Sequence, residues 1–364
     1  MDAPVPVSVL TGFLGSGKTT LLNRLLKDSA LIDTAVIINE FGDVSIDHLL
    51  VENSSDGVIE LADGCLCCTV RGDLVDTLAD LVDRLQTRRI ERLRRVIIET
   101  TGLADPAPVL QAIMGHPVLL QAFRLDGVIT AVDAVNGMAT LDAHPEAVKQ
   151  AAVADRIVLT KTDLPQGAEQ LAALRARLAR LNPGALMLDA ASPESGQAGL
   201  FDCGLYNPLT KSADVRRWLR DEAVHARHHH HDHHHHAIRH DDRIQAFTLT
   251  HDRPVAISTI ESFLDLLRAT LGDRLLRLKG IVELADEPDR PLVLHGVQKI
   301  FHPPARLAAW PDATRGTRLV LITMDTPQDY VRRLFDAFTG RAAIDTPDRS
   351  AMVDNPLAIA GFRR

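Results

Sequence analysis

The 364 residues leave room for two domains, one larger than the other. At 46% hydrophobic and 24% charged, the composition is that of an ordinary globular chain, and a net charge of −8 argues against a broad nucleic-acid or anionic-membrane surface. No apolar run approaches the ~20 residues that span a bilayer. The N-terminal MDAPVPVSVL lacks the basic region of a signal peptide. The expectation is therefore no membrane, no nucleic acid and a cytoplasmic setting in which thiols stay reduced.

From residue 5 to about 190, short apolar runs alternate with helix-like stretches. Predicted strands are VPVSVL (5–10), TAVIIN (34–39), GVIEL (57–61), RRVIIE (94–99), GVITAV (127–132), RIVLT (156–160) and ALMLD (185–189). Predicted helices cover 18–27, 73–86, a stretch opening at Pro106, and 168–181. Fully apolar strands separated by helices indicate a mostly parallel sheet covered on both faces. Residues 211–242 then turn polar and carry ten of the 16 histidines between His225 and His240, a linker-like composition. A second unit over 243–345 reads as strand (244–250), helix (258–272), strands GIVELA and PLVLHGVQKIF, strand TRLVLITM, and a final helix DYVRRLFDAF. Its order predicts a small α+β unit with its helices on one sheet face. Residues 346–364 read as a weakly structured tail. The predicted organisation is thus 1–210, 211–242, 243–345 and 346–364.

VSVLTGFLGSGKTT sets Gly12-x-x-x-x-Gly17-Lys18-Thr19 after a strand and at the start of a helix, the context a P-loop requires. The glycines let backbone N–H groups turn toward phosphate oxygens, and the helix N-terminus adds partial positive charge. Lys18 would reach the β/γ-phosphates and the Thr19 hydroxyl would ligate Mg²⁺. VIIETTG ends a strand in Glu99 and Gly102: the acid suits water-mediated Mg²⁺ contact or orientation of the attacking water, and the glycine N–H suits γ-phosphate sensing. RIVLTKTD ends another strand in Thr160, Lys161 and Asp163, which resembles the guanine-reading Asn-Lys-x-Asp with Thr160 in place of Asn. An Asp accepting from guanine N1 and N2 rejects adenine, and the lysine stem would cover the base.

GCLCC sets Cys65, Cys67 and Cys68 within four positions. Under reducing conditions such clustering favours metal or redox chemistry over disulfides. Three thiolates suit Zn²⁺ or a similarly soft ion and leave a fourth position open, as a site that hands its metal on would require. Other readings are a redox pair, buried small residues, or a closed structural site with a fourth ligand such as Glu40 of INEFGD, a stretch that also suits a first switch. Cys203 reads as a structural thiol. HHHHDHHHH (228–236) would bind several ions weakly and concentrate them near the thiols, or be a linker of no consequence.

The set GFLGSGKTT, INEFGD, GCLCC, ETTGLADP, TKTD, the His-rich linker and LHGVQKIFHPP resembles the CobW-like family of P-loop metallochaperone GTPases over nearly the whole chain. The resemblance implies a P-loop NTPase fold followed by a CobW-type C-terminal domain. It also implies that Gly15, Ser16, Gly17, Lys18, Thr19 and Thr20 bind phosphates and Mg²⁺. By the same likeness Thr160, Lys161 and Asp163 hold guanine, Cys65, Cys67 and Cys68 carry the metal, and Glu99 with Gly102 belongs to the second switch. The function implied is delivery of Zn²⁺ (or Co²⁺) to an acceptor protein, coupled to slow GTP hydrolysis, with a nucleotide- or metal-dependent homodimer as a further option. Competing readings are a kinase acting on a small substrate, a metal store with an incidental GTPase, and a cobalt chaperone serving corrin synthesis.

Overall fold

The computed structural model describes residues 4–27, 31, 33–39, 58–61, 70–201, 203, 243–311 and 313–340. The predicted linker 211–242 and tail 346–364 lie outside them, as do Glu40, Cys65, Cys67, Cys68 and the histidine run.

The first domain runs β1 (Val5–Gly12), α1 (Lys18–Leu26), β2 (Thr34–Asn39), β3 (Val58–Leu61), α2 (Val70–Gln86), β4 (Arg95–Thr100), α3 (Ala107–Gly115), α4 (Pro117–Ala122), β5 (Phe123–Asp133), α5 (Gly137–Ala143), α6 (Pro145–Ala152), β6 (Arg156–Thr160), α7 (Pro165–Leu181), β7 (Leu186–Asp189) and α8 (Gln197–Leu200). The seven strands form one sheet in the order β3-β2-β4-β1-β5-β6-β7, every neighbouring pair parallel. Side-chain alternation splits the strands between two cores. Val7, Val9, Val96 and Ile98 face Leu74, Leu78, Val109, Val148 and Leu178 of the helices on one side. Leu10, Ile97 and Ile129 face Leu21, Leu22 and Leu25 of α1, with Phe201, on the other. A parallel sheet has its carboxyl-end loops on one edge, so the turns after β1, β4, β5 and β6 come together there.

The second domain runs β8 (Ile244–His251), α9 (Ile257–Thr270), β9 (Leu275–Val282), β10 (Leu292–Val297), β11 (Ile300–Phe301), β12 (Ala305–Arg306), β13 (Thr317–Met324) and α10 (Gln328–Phe338). Its antiparallel sheet follows the order β11-β10-β9-β13-β8, with β12 on β10. Both helices cover one face: Ile260, Phe263, Leu267, Val331 and Phe335 pack on Leu249, Leu278, Leu294 and Leu321. Part of the opposite face docks on the first domain, where Leu276, Val297 and Ile322 join its core.

Three sequence expectations shift. PLVLHGVQKIF, expected as one strand, folds back after Val297 into β10 and β11, which pair antiparallel. The strand expected at GIVELA starts at Leu275 and ends at Val282. Arg277 and Lys279 in its first half are both buried, met by Asp155 of the first domain: Lys279 Nζ lies 2.9 Å from Asp155 Oδ1, and Arg277 Nη2 binds the same oxygen. Asp155 Oδ2 also accepts from Val128 N–H at 2.9 Å. The short helices α5 and α6 have no counterpart among the predicted elements, because seven or eight residues are too few to establish a helical period.

Burial acts against the charge of Asp155, but Arg277 and Lys279 outweigh it and hold its pKa well below 3.8. Removing one partner of a buried pair strands the other, so Asp155→Ala is expected to cost about 3–5 kcal/mol in urea denaturation. For Lys279, burial and the neighbouring Arg277 charge lower the pKa from 10.5 to about 8, with Asp155 opposing. The unfolded chain then binds more protons between these values, so stability should rise as pH climbs through that window. Chemical denaturation from pH 7 to 10 should show this rise, and Lys279→Met should abolish it.

Candidate functional site

The loop between β1 and α1 is shaped by close backbone neighbours. Gly12 has φ +143°, and a Cβ there would collide with Ala131 O and come within 2.7 Å of Ser16 Oγ. Ser16 N–H donates to Phe13 O at 3.1 Å, which closes the turn. Gly17, at φ 86°, precedes the first helical residue. Lys18 is 9% exposed and folds back so that Nζ donates to Phe13 O at 3.3 Å. Ser16 Oγ is buried and lacks a hydrogen-bond partner, while Gly15 and Thr20 are exposed. A glycine-lined turn with a buried ammonium and a spare hydroxyl is a donor set that fits phosphate.

Strand register brings the second cluster to this loop. Leu10 of β1 pairs with Glu99 of β4, and Thr19 Oγ1 donates to Glu99 Oε1 at 2.9 Å across 80 residues of chain. Glu99 is only 3% exposed. A hydroxyl and a carboxylate in contact are hard oxygen donors of the kind Mg²⁺ takes. Gly102 follows in a tight turn where Ala104 N–H donates to Thr101 O at 3.2 Å. A Cβ on Gly102 would lie 2.7 Å from Leu14 N and 2.8 Å from Leu14 Cα, so the turn rests on the loop backbone itself.

The β6 end supplies the third cluster. Thr160 Oγ1 donates to Ser16 O at 2.7 Å and lies 3.3 Å from Val132 O, so this hydroxyl anchors the loop between β1 and α1. Lys161, at φ 57°, ion-pairs with Asp133 Oδ2 at 2.7 Å. Burial opposes the charge on Asp133, but hydrogen bonds from Lys161, Asn136 and Val135 N–H prevail and lower its pKa below the usual value. Asp163 is exposed at the same turn. Thr162 Oγ1 donates to Asp189 Oδ1 at 2.6 Å, tying the turn to the end of β7. Arg24 of α1 reaches the same loop, donating to Ala190 O and Ser195 Oγ.

Behind the loop, away from α1, lies a cavity of ≈ 230 Å³ lined by Leu14, Ser16, Thr130, Asp133, Gln150 and Lys161 among others. Asp133, Gln150 and the Thr162–Asp189 pair are absent from the motif reading. Asp133 carried a signal, an acid at the carboxyl end of a buried strand; Gln150, inside AVKQAAVADR, carried none. Cys203 is buried, which pushes its thiol pKa up and fits the structural role expected of it. Among the described residues no helix is long and apolar enough to cross a membrane, and no three His, Cys, Asp or Glu side chains converge as a metal site.

Residues 6–189 match the family described as CobW/HypB/UreG, nucleotide-binding domain, and residues 244–339 match the cobalamin synthesis protein cobW C-terminal domain. The chain is 35% identical over 332 residues to the zinc chaperone YjiA of Escherichia coli K12, covering 91% of this chain and 98% of the relative. It is 32% identical over 366 residues to the zinc chaperone CobW of a Sinorhizobium species, covering 92% and 97%. The crystal structure of Zn(II)-bound YjiA GTPase from E. coli is similar, with a TM-score of 0.66 at 29% identity, covering 92% of this chain and 99% of that one.

An added methyl on Gly102 would meet Leu14 Cδ2 at 2.6 Å as well as the Leu14 backbone, so a rotamer change alone cannot relieve it. Gly102→Ala is expected to lower stability by about 1–3 kcal/mol, measured by urea denaturation without nucleotide.

Proposed function

Because the chain belongs to the CobW family, we propose that it is a GTP-hydrolysing metallochaperone that carries zinc, or a similarly soft divalent ion, to an acceptor metalloprotein. The observation that carries this reading is the match over 91% and 92% of the chain to relatives that are zinc chaperones. Lys18 and the N–H groups of Gly15–Thr20 hold the phosphates. Thr19 and Glu99 are the oxygen donors for Mg²⁺, directly or through water, whose charge would offset that of the phosphates. Asp163 accepts from guanine, with Lys161 over the base and Thr160 acting through the loop. Gly102 N–H senses the γ-phosphate.

Cys65, Cys67 and Cys68 carry the metal, with Glu40 as a candidate further ligand. The described residues bracketing the thiols support this role: Leu61 closes β3 at the carboxyl edge of the sheet, and Val70 opens α2. The phosphate loop and the Glu99–Gly102 turn belong to that same edge. Thiols tethered there can respond to nucleotide, tightening on the metal with GTP and releasing it to an acceptor after hydrolysis. A hundredfold affinity change requires about 2.8 kcal/mol of coupling, comparable to a few charge-assisted hydrogen bonds. The reduced cytoplasm keeps the thiolates competent, and a nucleotide- or metal-dependent homodimer is part of the same proposal.

Titration of Zn²⁺ at buffered free concentration, with a nonhydrolysable GTP analogue and then with GDP, tests the coupling. Tighter binding with the analogue is expected, and equal affinities would remove the coupling. Cys67→Ser should abolish tight zinc binding and leave nucleotide affinity intact. Joint loss of both would mark a structural metal instead.

A further inference from the structure

The turn from Gly102 to Ala104 belongs to no helix or strand, yet its carbonyls are bonded. Gln150 Nε2 donates one hydrogen toward Gly102 O at 3.3 Å and the other toward Ala104 O at 3.0 Å. The amide orientation follows from chemistry, since the flipped form would set Oε1 against two carbonyl oxygens. Gln150 is fully buried, and its Oε1 lacks a hydrogen-bond partner. The cost of that burial is offset by the bonds its two donors make. On the far side of the turn is the loop backbone at Leu14. The cavity that Gln150 lines leaves open space behind the loop, so packing alone does not immobilise this region.

The platform beneath Gln150 is fixed at several points. Thr130 Oγ1 donates to Gln150 O at 2.9 Å. Asn182 Nδ2 lies 2.9–3.0 Å from the carbonyls of Ala151, Ala152 and Ala154, just past the residue in question. Asp155, next in the chain, is bound by Arg277 and Lys279 of the second domain. The segment that follows Gln150 is therefore tied to both domains, and the Gln150 amide reaches one segment only.

We propose that Gln150 is a positioning residue for the phosphate-sensing turn: its amide holds Gly102 against the loop, so that the Gly102 N–H faces the terminal phosphate of a bound nucleoside triphosphate. This rests on the GTPase reading above. It goes beyond that reading by assigning to α6, and through Asp155 to the second domain, control over how the site tells triphosphate from diphosphate. Gln150 touches neither phosphate nor the reacting atoms and acts through the turn alone.

Gln150→Leu keeps the bulk and removes both donors; Gln150→Glu keeps the shape and replaces them with acceptors. Binding of a nonhydrolysable GTP analogue and of GDP would be measured by calorimetry for both variants and the wild type, alongside steady-state GTP hydrolysis and thermal midpoints. Affinity for the analogue relative to GDP should fall at least tenfold in both variants, with GDP affinity held within twofold and kcat reduced at least tenfold. Proportionate loss of both affinities, or a ratio and kcat within twofold of wild type in either folded variant, would overturn the inference. A wild type that binds neither nucleotide would overturn the GTPase reading itself, before any variant is compared.

Discussion

Backbone crowding around residues 12–17 sets the terms for everything at the carboxyl edge of the sheet. β5 approaches so closely that a side chain on Gly12 would strike Ala131 O, β6 holds the loop through Thr160 Oγ1 and Ser16 O, and the turn after β4 rests on Leu14. Three neighbouring strand ends thus grip the loop before any ligand is considered. Grip of this kind is preorganisation: a loop already held in place avoids ordering entropy on binding.

The same register that crowds the loop brings the oxygen donors together. With Leu10 opposite Glu99, the first turn of α1 presents Thr19 to the end of β4. With Asp133 opposite Thr160, the carboxylate at the end of β5 meets Lys161 one residue on. Lys161 is held by an ion pair with Asp133, whose charge three hydrogen bonds maintain against the opposing effect of burial. The ammonium is thereby anchored at the turn that follows β6.

The two domains share more than a tether. Leu276, Val297 and Ile322 complete the core of the first domain, and Gln111 of α3 donates to Gln298 at 2.8 Å. At the centre of the contact sits Asp155 with two cations, an arrangement costly in desolvation and worthwhile only where geometry is well satisfied. Such a pair makes docking specific, since a sheet placed in another register would leave Arg277 and Lys279 buried without their carboxylate. A C-terminal domain fixed in this way is part of the frame that carries α6 and its glutamine.

Local pattern alone determined much of this protein. Apolar runs bounded by helix-like stretches are enough for the parallel sheet, because a strand buried on both faces must be apolar throughout. The phosphate motif is equally local, since its chemistry resides in consecutive residues of one turn, and the clustered thiols of GCLCC are legible only there. Tertiary structure decided the rest. Arg277 and Lys279 fall outside the predicted strand GIVELA, and their burial depends on Asp155, 122 positions away from Arg277, which supplies their counter-charge. Thr160 is legible as part of a motif, but only the fold shows its hydroxyl donating to Ser16 O. Gln150 has no sequence signature, because the groups it serves are backbone carbonyls nearly fifty residues away, and a carbonyl leaves no mark in the identity of the residue that carries it.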